Sequence, residues 1–254
     1  MVVADITPGA AALSDWIAAA RVGATIMIGL LLWILYFHFK DRKNPEPKRL
    51  VLYAFVLGLV SAGIALSLFE LLAWIGVPIE AAGTTAQIAI FCLVVVGPVE
   101  EGSKFIVARI GIFRSHHFDE EIDGLIYASS VALGFSAIEN LLYSNGQDWT
   151  VGLARSLASP LSHSLFSAIW GFGMSHSRTR AATRSGRFAW QAGSLILAMG
   201  VHGLYDFVLL GLDAPIYAGG IVLAVWIAVL IQVRRVAGRD EKRPEQRPGL
   251  FTEI

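Results

Sequence analysis

Carboxylates, imidazoles and a lysine lie inside strongly apolar stretches of this chain. Glu100, Glu101 and Lys104 occur in GPVEEGSK, and Glu139 and Asn140 in GFSAIENLLY. His163 occurs in SHSLFSAIWGFG with Arg155 upstream of it, and His202 and Asp206 occur in VHGLYD. Two adjacent carboxylates, a third on another segment and two imidazoles suit the activation of a water molecule. A glutamate that shares a buried site with other carboxylates is a natural general base at neutral pH. The histidines can stabilise an oxyanion or, as neutral imidazoles, bind zinc, since two histidines and a glutamate with one open position form a known catalytic zinc arrangement. Such a site can hydrolyse a peptide bond inside a membrane. There is no HExxH or GxSxG pattern, and no base is placed by sequence beside Ser136, Ser159, Ser162 or Ser164.

The elements that must position these groups follow from composition. Hydrophobic residues make up 55% of the chain and charged ones 16%, against ~45–50% and ~25% in a soluble domain. The mean hydropathy is +0.61. A disordered or collagen-like chain is excluded, and a soluble bundle has too little polar surface to fit. The single cysteine, Cys92, excludes an internal disulfide framework and a thiolate zinc cluster. Lys+Arg and Asp+Glu balance at 20 each, so there is no electrostatic footprint for nucleic acid.

A spanning helix needs ~20 mostly apolar residues. Seven segments qualify: 16–39, 50–75, 85–110, 124–143, 151–176, 188–210 and 215–233. The fold expected is all-α, a polytopic membrane protein with seven transmembrane helices. One transmembrane domain covers 1–238, and a charged tail at 239–254 is expected to be mobile. Basic residues collect in 40–49, in 177–187 and in the tail, with Arg109 and Arg114 after the third segment. The alternate loops, 76–84, 145–150 and 211–214, and the first 20 residues carry none. Because Lys and Arg mark the cytoplasmic side, the N-terminus is expected outside and the C-terminus inside. The N-terminus lacks the basic region of a signal peptide.

Depth follows from a rise of 1.5 Å per residue. His202 lies about 14 residues in from one side and His163 about 12 from the other, so both fall near the middle of the layer. Glu100 is similarly deep, and Glu139 lies closer to the outer surface. Charges at such depth cost at least ~2.5–3.5 kcal/mol each, so they must face one another or water. Glu100 and Lys104 are spaced i, i+4, and the pair predicts an ion pair on one helix face. Glu101 is rotated by about 100° and needs another partner. Asp206, one turn after His202, can hold the second nitrogen of its imidazole. Gly97-Pro98 reads as a helix break beside a wet cavity.

Each of these residues also has a plainer reading. Glu100 with Lys104 can be a structural ion pair, Asn140 and His163 can be interhelical hydrogen-bonders, and Asp206 can be no more than a partner for His202. His38, His116, His117 and His176 read as interfacial, and a peripheral metal at His116-His117 and the following acids is the weaker reading. Arg155 is expected to snorkel or to pair with Asp148 or Glu70. Gly58, Gly63, Gly134, Gly171 and Gly173 are expected to permit close helix contact. Trp149, Trp170, Trp190 and Trp226 suit anchoring or packing, and Cys92 suits packing.

Taken together, these residues resemble the PrsW family of intramembrane proteases, whose motifs are EExxK, FxxxEN and HxxxD with a histidine-bearing helix before the last. They read here as Glu100-Glu101-Gly102-Ser103-Lys104, Phe135 to Glu139-Asn140, His163, and His202 to Asp206. The resemblance covers about 85–210. It implies a multi-pass protease of the bacterial inner membrane that cleaves membrane-anchored proteins, anti-sigma factors among them. The family is usually grouped with metalloproteases. It is more distantly similar to the CAAX prenyl endopeptidases, for which a glutamate-activated water without a catalytic metal has been argued. Mapped by motif, Glu100 is the general base. Glu139 and His202 hold the water, a metal or the oxyanion, and Glu101 and His163 complete the catalytic set. Lys104, Asn140 and Asp206 support it, and Glu139, His163 and His202 are the implied metal ligands. Zinc and direct glutamate catalysis both remain open.

Other functions use similar residues. A proton-coupled transporter also buries carboxylates and histidines, but it predicts inverted repeats with matching helix breaks, and no such repeat is visible. A retinal protein needs a lysine in the last helix, where there is none. An inactive scaffold does not require the full set of acids and histidines.

Overall fold

The computed structural model describes residues 46–143 and 149–240. The segment expected at 16–39, His38, Asp148 and the tail from 241 onward lie outside the described residues. Every regular element among the described residues is helical: α1 (Lys48–Trp74), α2 (Thr85–Ile90), α3 (Gly97–Gly111), α4 (Asp123–Tyr143), α5 (Trp149–Thr179), α6 (Arg184–Asp206) and α7 (Pro215–Asp240). Two π-helical stretches, Phe91–Val96 and Phe207–Gly211, join α2 to α3 and extend α6. The described residues therefore run as six continuous rods, corresponding to the second through seventh expected segments. Four are long and apolar enough to cross a membrane: Lys48–Trp74, Asp123–Tyr143, Arg184–Gly211 and Pro215–Val236. The remaining two rods, 85–111 and Trp149–Thr179, carry Glu100, Glu101 and Lys104, and Arg155 and His163, respectively.

Local chemistry sets the helix ends. Thr84 and Gln87 form a capping box that starts α2. The Thr183 hydroxyl accepts from the Gly186 N–H at 3.0 Å and starts α6 earlier than hydropathy indicates. Gly97-Pro98 is not a break. Proline lacks an N–H, but it stands in the first turn of α3, where that donor is not missed. The wide π turns just before it take up the change of helical pitch. The second π stretch had no sequence signal.

α4 lies between α1 and α5, α6 packs on α5 and α3, and α7 lies outside against α5 and α6. Glycines set the closest approaches. A Cβ on Gly134 would meet the Phe55 carbonyl oxygen at 2.0 Å, and one on Gly203 would meet that of Cys92 at 2.4 Å, so α1 meets α4, and α6 meets the π-helical stretch Phe91–Val96, backbone to backbone. Gly58 and Gly171 behave alike, Gly173 makes room for the Ser194 side chain, and Gly63, expected to permit close contact, has nothing nearby.

One end of the bundle collects the basic residues. Lys48 and Arg49 start α1, Arg109 and Arg114 close α3, Arg178 and Arg180 close α5, and Arg184 and Arg187 start α6. Arg109 donates to Gln191, Gln191 to Ser177 and Arg178 to the Phe113 carbonyl, which ties these ends together. Above them is an apolar cluster of Ala54, Val107, Ile112, Tyr127, Val131 and Met174. Many large apolar side chains point outward instead, including Leu71, Ile110, Ile196 and Ile216. Such a surface is suited to lipid.

Candidate active site inside the bundle

Helices α3, α4, α5 and α6 each turn one polar face inward, and those faces meet. On α5 the face is the stripe Arg155, Ser159, His163, Ser167 and Trp170, spaced by fours and a three, so these side chains share one side of the helix.

Glu101 is the most completely partnered group. It is fully buried. Its Oε1 accepts from Lys104 Nζ at 2.8 Å and faces His202 Nδ1 at 2.9 Å. Its Oε2 accepts from Ser167 Oγ and Trp170 Nε1, each at 2.8 Å. Four donors from three helices thus saturate one carboxylate, and no lone pair faces a pocket. Lys104, also fully buried, is 3.6 Å from Glu100. The expected Glu100–Lys104 ion pair is therefore the longer of two, because the ammonium is drawn to the carboxylate one turn away at i, i+3. The same ammonium lies 2.9 Å from His163 Nδ1 and 4.0 Å above the ring of Phe135.

Glu100 differs from its neighbour. Its Oε2 is buried and has no hydrogen-bond partner. Around that oxygen stand Lys104 Nζ at 3.6 Å, His202 Nε2 at 3.7 Å and His163 Nδ1 at 3.9 Å. His202 Nε2 also lies 3.5 Å from Asp206 Oδ2. The imidazoles meet edge to face at 5.0 Å, and Phe166 backs His202 at 5.2 Å.

Glu139 stands one layer out. One oxygen accepts from Arg155 Nη2 at 2.6 Å, and the other hydrogen-bonds to His163 Nε2. Arg155 therefore pairs with Glu139 and not with Glu70, whose side chain is exposed. Asn140 is buried beside it. Trp170 is also buried, 1% exposed, so it is a donor inside the site and no interfacial anchor. Ser167, Trp170 and Arg155 were missed as site residues in the sequence. Only the stripe on α5 points to the first two.

Whether these residues fit a metal can be tested on their donor atoms. A carboxylate oxygen of Glu100 and one ring nitrogen each of His163 and His202 lie within 4.8 Å of one another. This set has Glu100 where Glu139 was expected, because both Glu139 oxygens are engaged by Arg155 and His163. Each imidazole is held through its other nitrogen by a carboxylate, Glu139 for His163 and Glu101 for His202. Metal-ligating histidines are usually buttressed this way. Four carboxylates, Glu100, Glu101, Glu139 and Asp206, stand against two permanent cations, Lys104 and Arg155. The set fits a divalent cation, provided the Lys104 ammonium gives up His163 Nδ1 and keeps Glu101.

Away from this cluster, His116 and His117 stack on each other in the loop, with ring centroids 4.0 Å apart. His176 packs on Trp190 at 4.2 Å, close to Glu121. No second metal-holding group of this kind occurs among the described residues.

An inward-facing set of acids and imidazoles within a bundle of membrane-length apolar helices defines a membrane-embedded hydrolase. The model of the PrsW family intramembrane metalloproteases matches residues 46–233. The chain belongs to this family and is an intramembrane protease. It is 32% identical over 218 residues to Protease PrsW of Geobacillus kaustophilus, covering 85% of this chain and 92% of that one. With Protease PrsW of Bacillus subtilis it shares 32% over 198 residues, 78% of this chain and 86% of the relative. With that of Clostridioides difficile it shares 28% over 188 residues, 72% and 77% respectively. No solved structure matches the chain.

Proposed function

We propose that Glu100 is the general base for hydrolysis of a peptide bond in a membrane-anchored protein. The observation that carries this is the contrast between two adjacent glutamates: Glu101 has every lone pair engaged, while Glu100 Oε2 is buried, unpartnered and ringed by both histidines. In this reading Glu100 takes a proton from water and the water oxygen attacks the scissile carbonyl carbon. The Nε2 edge of His202, backed through Nδ1 by Glu101, stabilises the oxyanion. Glu100 then returns the proton to the amide nitrogen as the C–N bond breaks. Lys104 holds charge balance and does not touch substrate, because it is fully enclosed. In a metal-assisted form of the reaction Glu100, His163 and His202 would hold a divalent cation such as zinc, which would supply Lewis-acid polarisation of the water in place of direct activation by Glu100.

The topology proposed is seven spans with the C-terminus cytoplasmic, in an inner membrane. The support is that basic residues collect at one end of α1, α3, α5, α6 and α7, while the opposite loops lack them. On this topology the site lies near the middle of the layer or slightly toward its outer half, a depth that suits single-span substrates such as membrane-anchored anti-sigma factors.

The test compares membranes from cells expressing wild type or Glu100→Gln by mapping protein termini. New termini inside or beside single-span segments, present with wild type and missing with the variant, are expected. A set of termini that does not depend on Glu100 overturns the reading. Metal content separates the two chemical forms: one equivalent of zinc in wild type, lost in His163→Ala and His202→Ala, marks the metal-assisted form, and cleavage by zinc-free protein marks direct glutamate catalysis.

A further inference from the structure

We propose that Arg155 is a positioning residue of this reaction, acting through Glu139 to fix the orientation and tautomer of His163. The inference rests on the reading of Glu100 and its neighbours as the hydrolytic centre. Arg155 is the one Lys or Arg between residues 115 and 177. It lies at the end of α5 away from the basic residues, against the charge bias that orders the rest of the chain. Its guanidinium donates to Glu139 Oε1 at 2.6 Å and stacks over the Tyr143 ring at 4.5 Å. Glu139 uses its other oxygen for His163 Nε2. His163 then presents Nδ1 to Lys104 at 2.9 Å and to Glu100 at 3.9 Å.

The polarity of this chain is dictated by its two cations. Lys104 can only donate, so His163 Nδ1 must be the acceptor, and Nε2 must carry the proton. That proton requires Glu139 to accept. Arg155 also only donates, so it holds Glu139 as an acceptor at both oxygens. Without the guanidinium, Glu139 Oε1 loses its anchor and the carboxylate can swing away from His163 Nε2, leaving the ring free to turn from Lys104. An ordinary exposed ion pair has no such consequence. Here the carboxylate's second oxygen reaches a histidine that is 5% exposed.

The test uses purified full-length protein in liposomes and a single-span reporter cleaved in the terminus-mapping experiment. Arg155→Gln is expected to lower kcat by about 10–100-fold, the range for partners that orient a functional histidine, with KM within about twofold. Arg155→Lys is expected to recover kcat to within about fivefold, because it restores the donor charge. Arg155→Gln combined with Glu139→Gln is expected to be no slower than Glu139→Gln alone, the mark of residues acting as one unit. A raised KM at unchanged kcat would make Arg155 a substrate contact, and multiplying losses would make it a separate structural element. Either result overturns the proposal.

A readout without substrate is the ¹⁵N-histidine NMR spectrum. Wild type is expected to show His163 protonated at Nε2, and Arg155→Gln is expected to shift that population. An unchanged His163 signal sinks the inference even if Glu100→Gln is inactive. An active Glu100→Gln sinks the reading of the site instead. If Arg155→Gln does not fold, Arg155→Lys carries the test. A wild-type tautomer with near-wild-type kcat supports the proposal, and a wild-type tautomer with kcat lost overturns it.

Discussion

The two halves of the bundle bury polar groups in opposite ways. In the basic-residue half, polar side chains make short local ties around a dry core. Asp123 Oδ2 accepts the N–H groups of Asp119 and Glu120, Arg180 pairs with Glu121, and Ser175 donates to the Glu121 carbonyl at 2.7 Å. In the other half the same helices carry a connected set of charges from Arg155 through Glu139, His163 and Lys104 to Glu101 and His202. A fully satisfied network rigidifies a core, and one left incomplete is costly. Among its carboxylates the open oxygen is Glu100 Oε2, and Arg155 Nε also lacks a hydrogen bond. Glu121 Oε2 also lacks a hydrogen bond, but its other oxygen pairs with Arg180. The apolar half supplies the rigidity against which one incomplete carboxylate can be held ready.

This comparison is broken most sharply at Glu100. Glu100→Gln keeps the shape and removes the proton acceptor, so cleavage is expected to fall by about 10²–10⁴-fold. The melting temperature in detergent should stay close to wild type. Cleavage at the wild-type rate would remove Glu100 from the chemistry. The same change one residue later is expected to act on folding. Glu101→Gln leaves Lys104 buried beside a neutral amide and turns an NH₂ toward donors. A loss of about 3–5 kcal/mol is the usual cost of breaking a buried pair, read as a large drop in melting temperature. If Glu101→Gln is as stable as wild type, the saturated carboxylate is not the keystone of this half.

Much of this site was legible in the sequence, for a physical reason. Charges are so expensive in apolar helices that each one flags itself, which is how Glu100, Glu101, Glu139, His163 and His202 stood out. Which charge pairs with which was not legible. Lys104 has carboxylates at both i−3 and i−4, and helical spacing favours neither, so the nearer bond to Glu101 depends on what α5 and α6 bring up to it. The role of Glu139 was obscured likewise, since its partner Arg155 sits 16 residues away on the next helix. Trp170 stood between anchoring and packing because a lone tryptophan in an apolar helix carries no mark of burial, and its bond to Glu101 had no sequence signal. Gly97-Pro98 looked like a break because π turns have no residue code that announces them. The rods themselves were readable, since long apolar runs bounded by basic loops admit few other forms.

The tryptophan gives a smaller test of the same contrast. Trp170→Phe keeps the aromatic packing against Phe105, whose ring centroid lies 5.6 Å away, and removes one of four donors to Glu101. Loss of a hydrogen bond to a charged group is expected to cost about 1.5–3 kcal/mol. Glu101 is then held by Lys104, His202 and Ser167, so kcat should fall modestly while KM holds. A variant with wild-type stability would show that the indole N–H contributes nothing and that Trp170 acts through packing alone.

The smallest effect is expected in the half that does no chemistry. Ser175 Oγ ties α5 to the loop ahead of α4 through the Glu121 carbonyl, and it is fully buried. Ser175→Ala removes that tie and leaves one carbonyl to find another partner, a loss of about 1 kcal/mol. The backbone contact of Gly124 with Gly171 persists, so the helices remain in register. Cleavage per folded molecule should therefore match wild type within error, while the melting temperature falls by a few degrees. A kcat that dropped along with stability would show that the two halves are coupled, and that the apolar end sets the geometry of Glu100 and is more than its support.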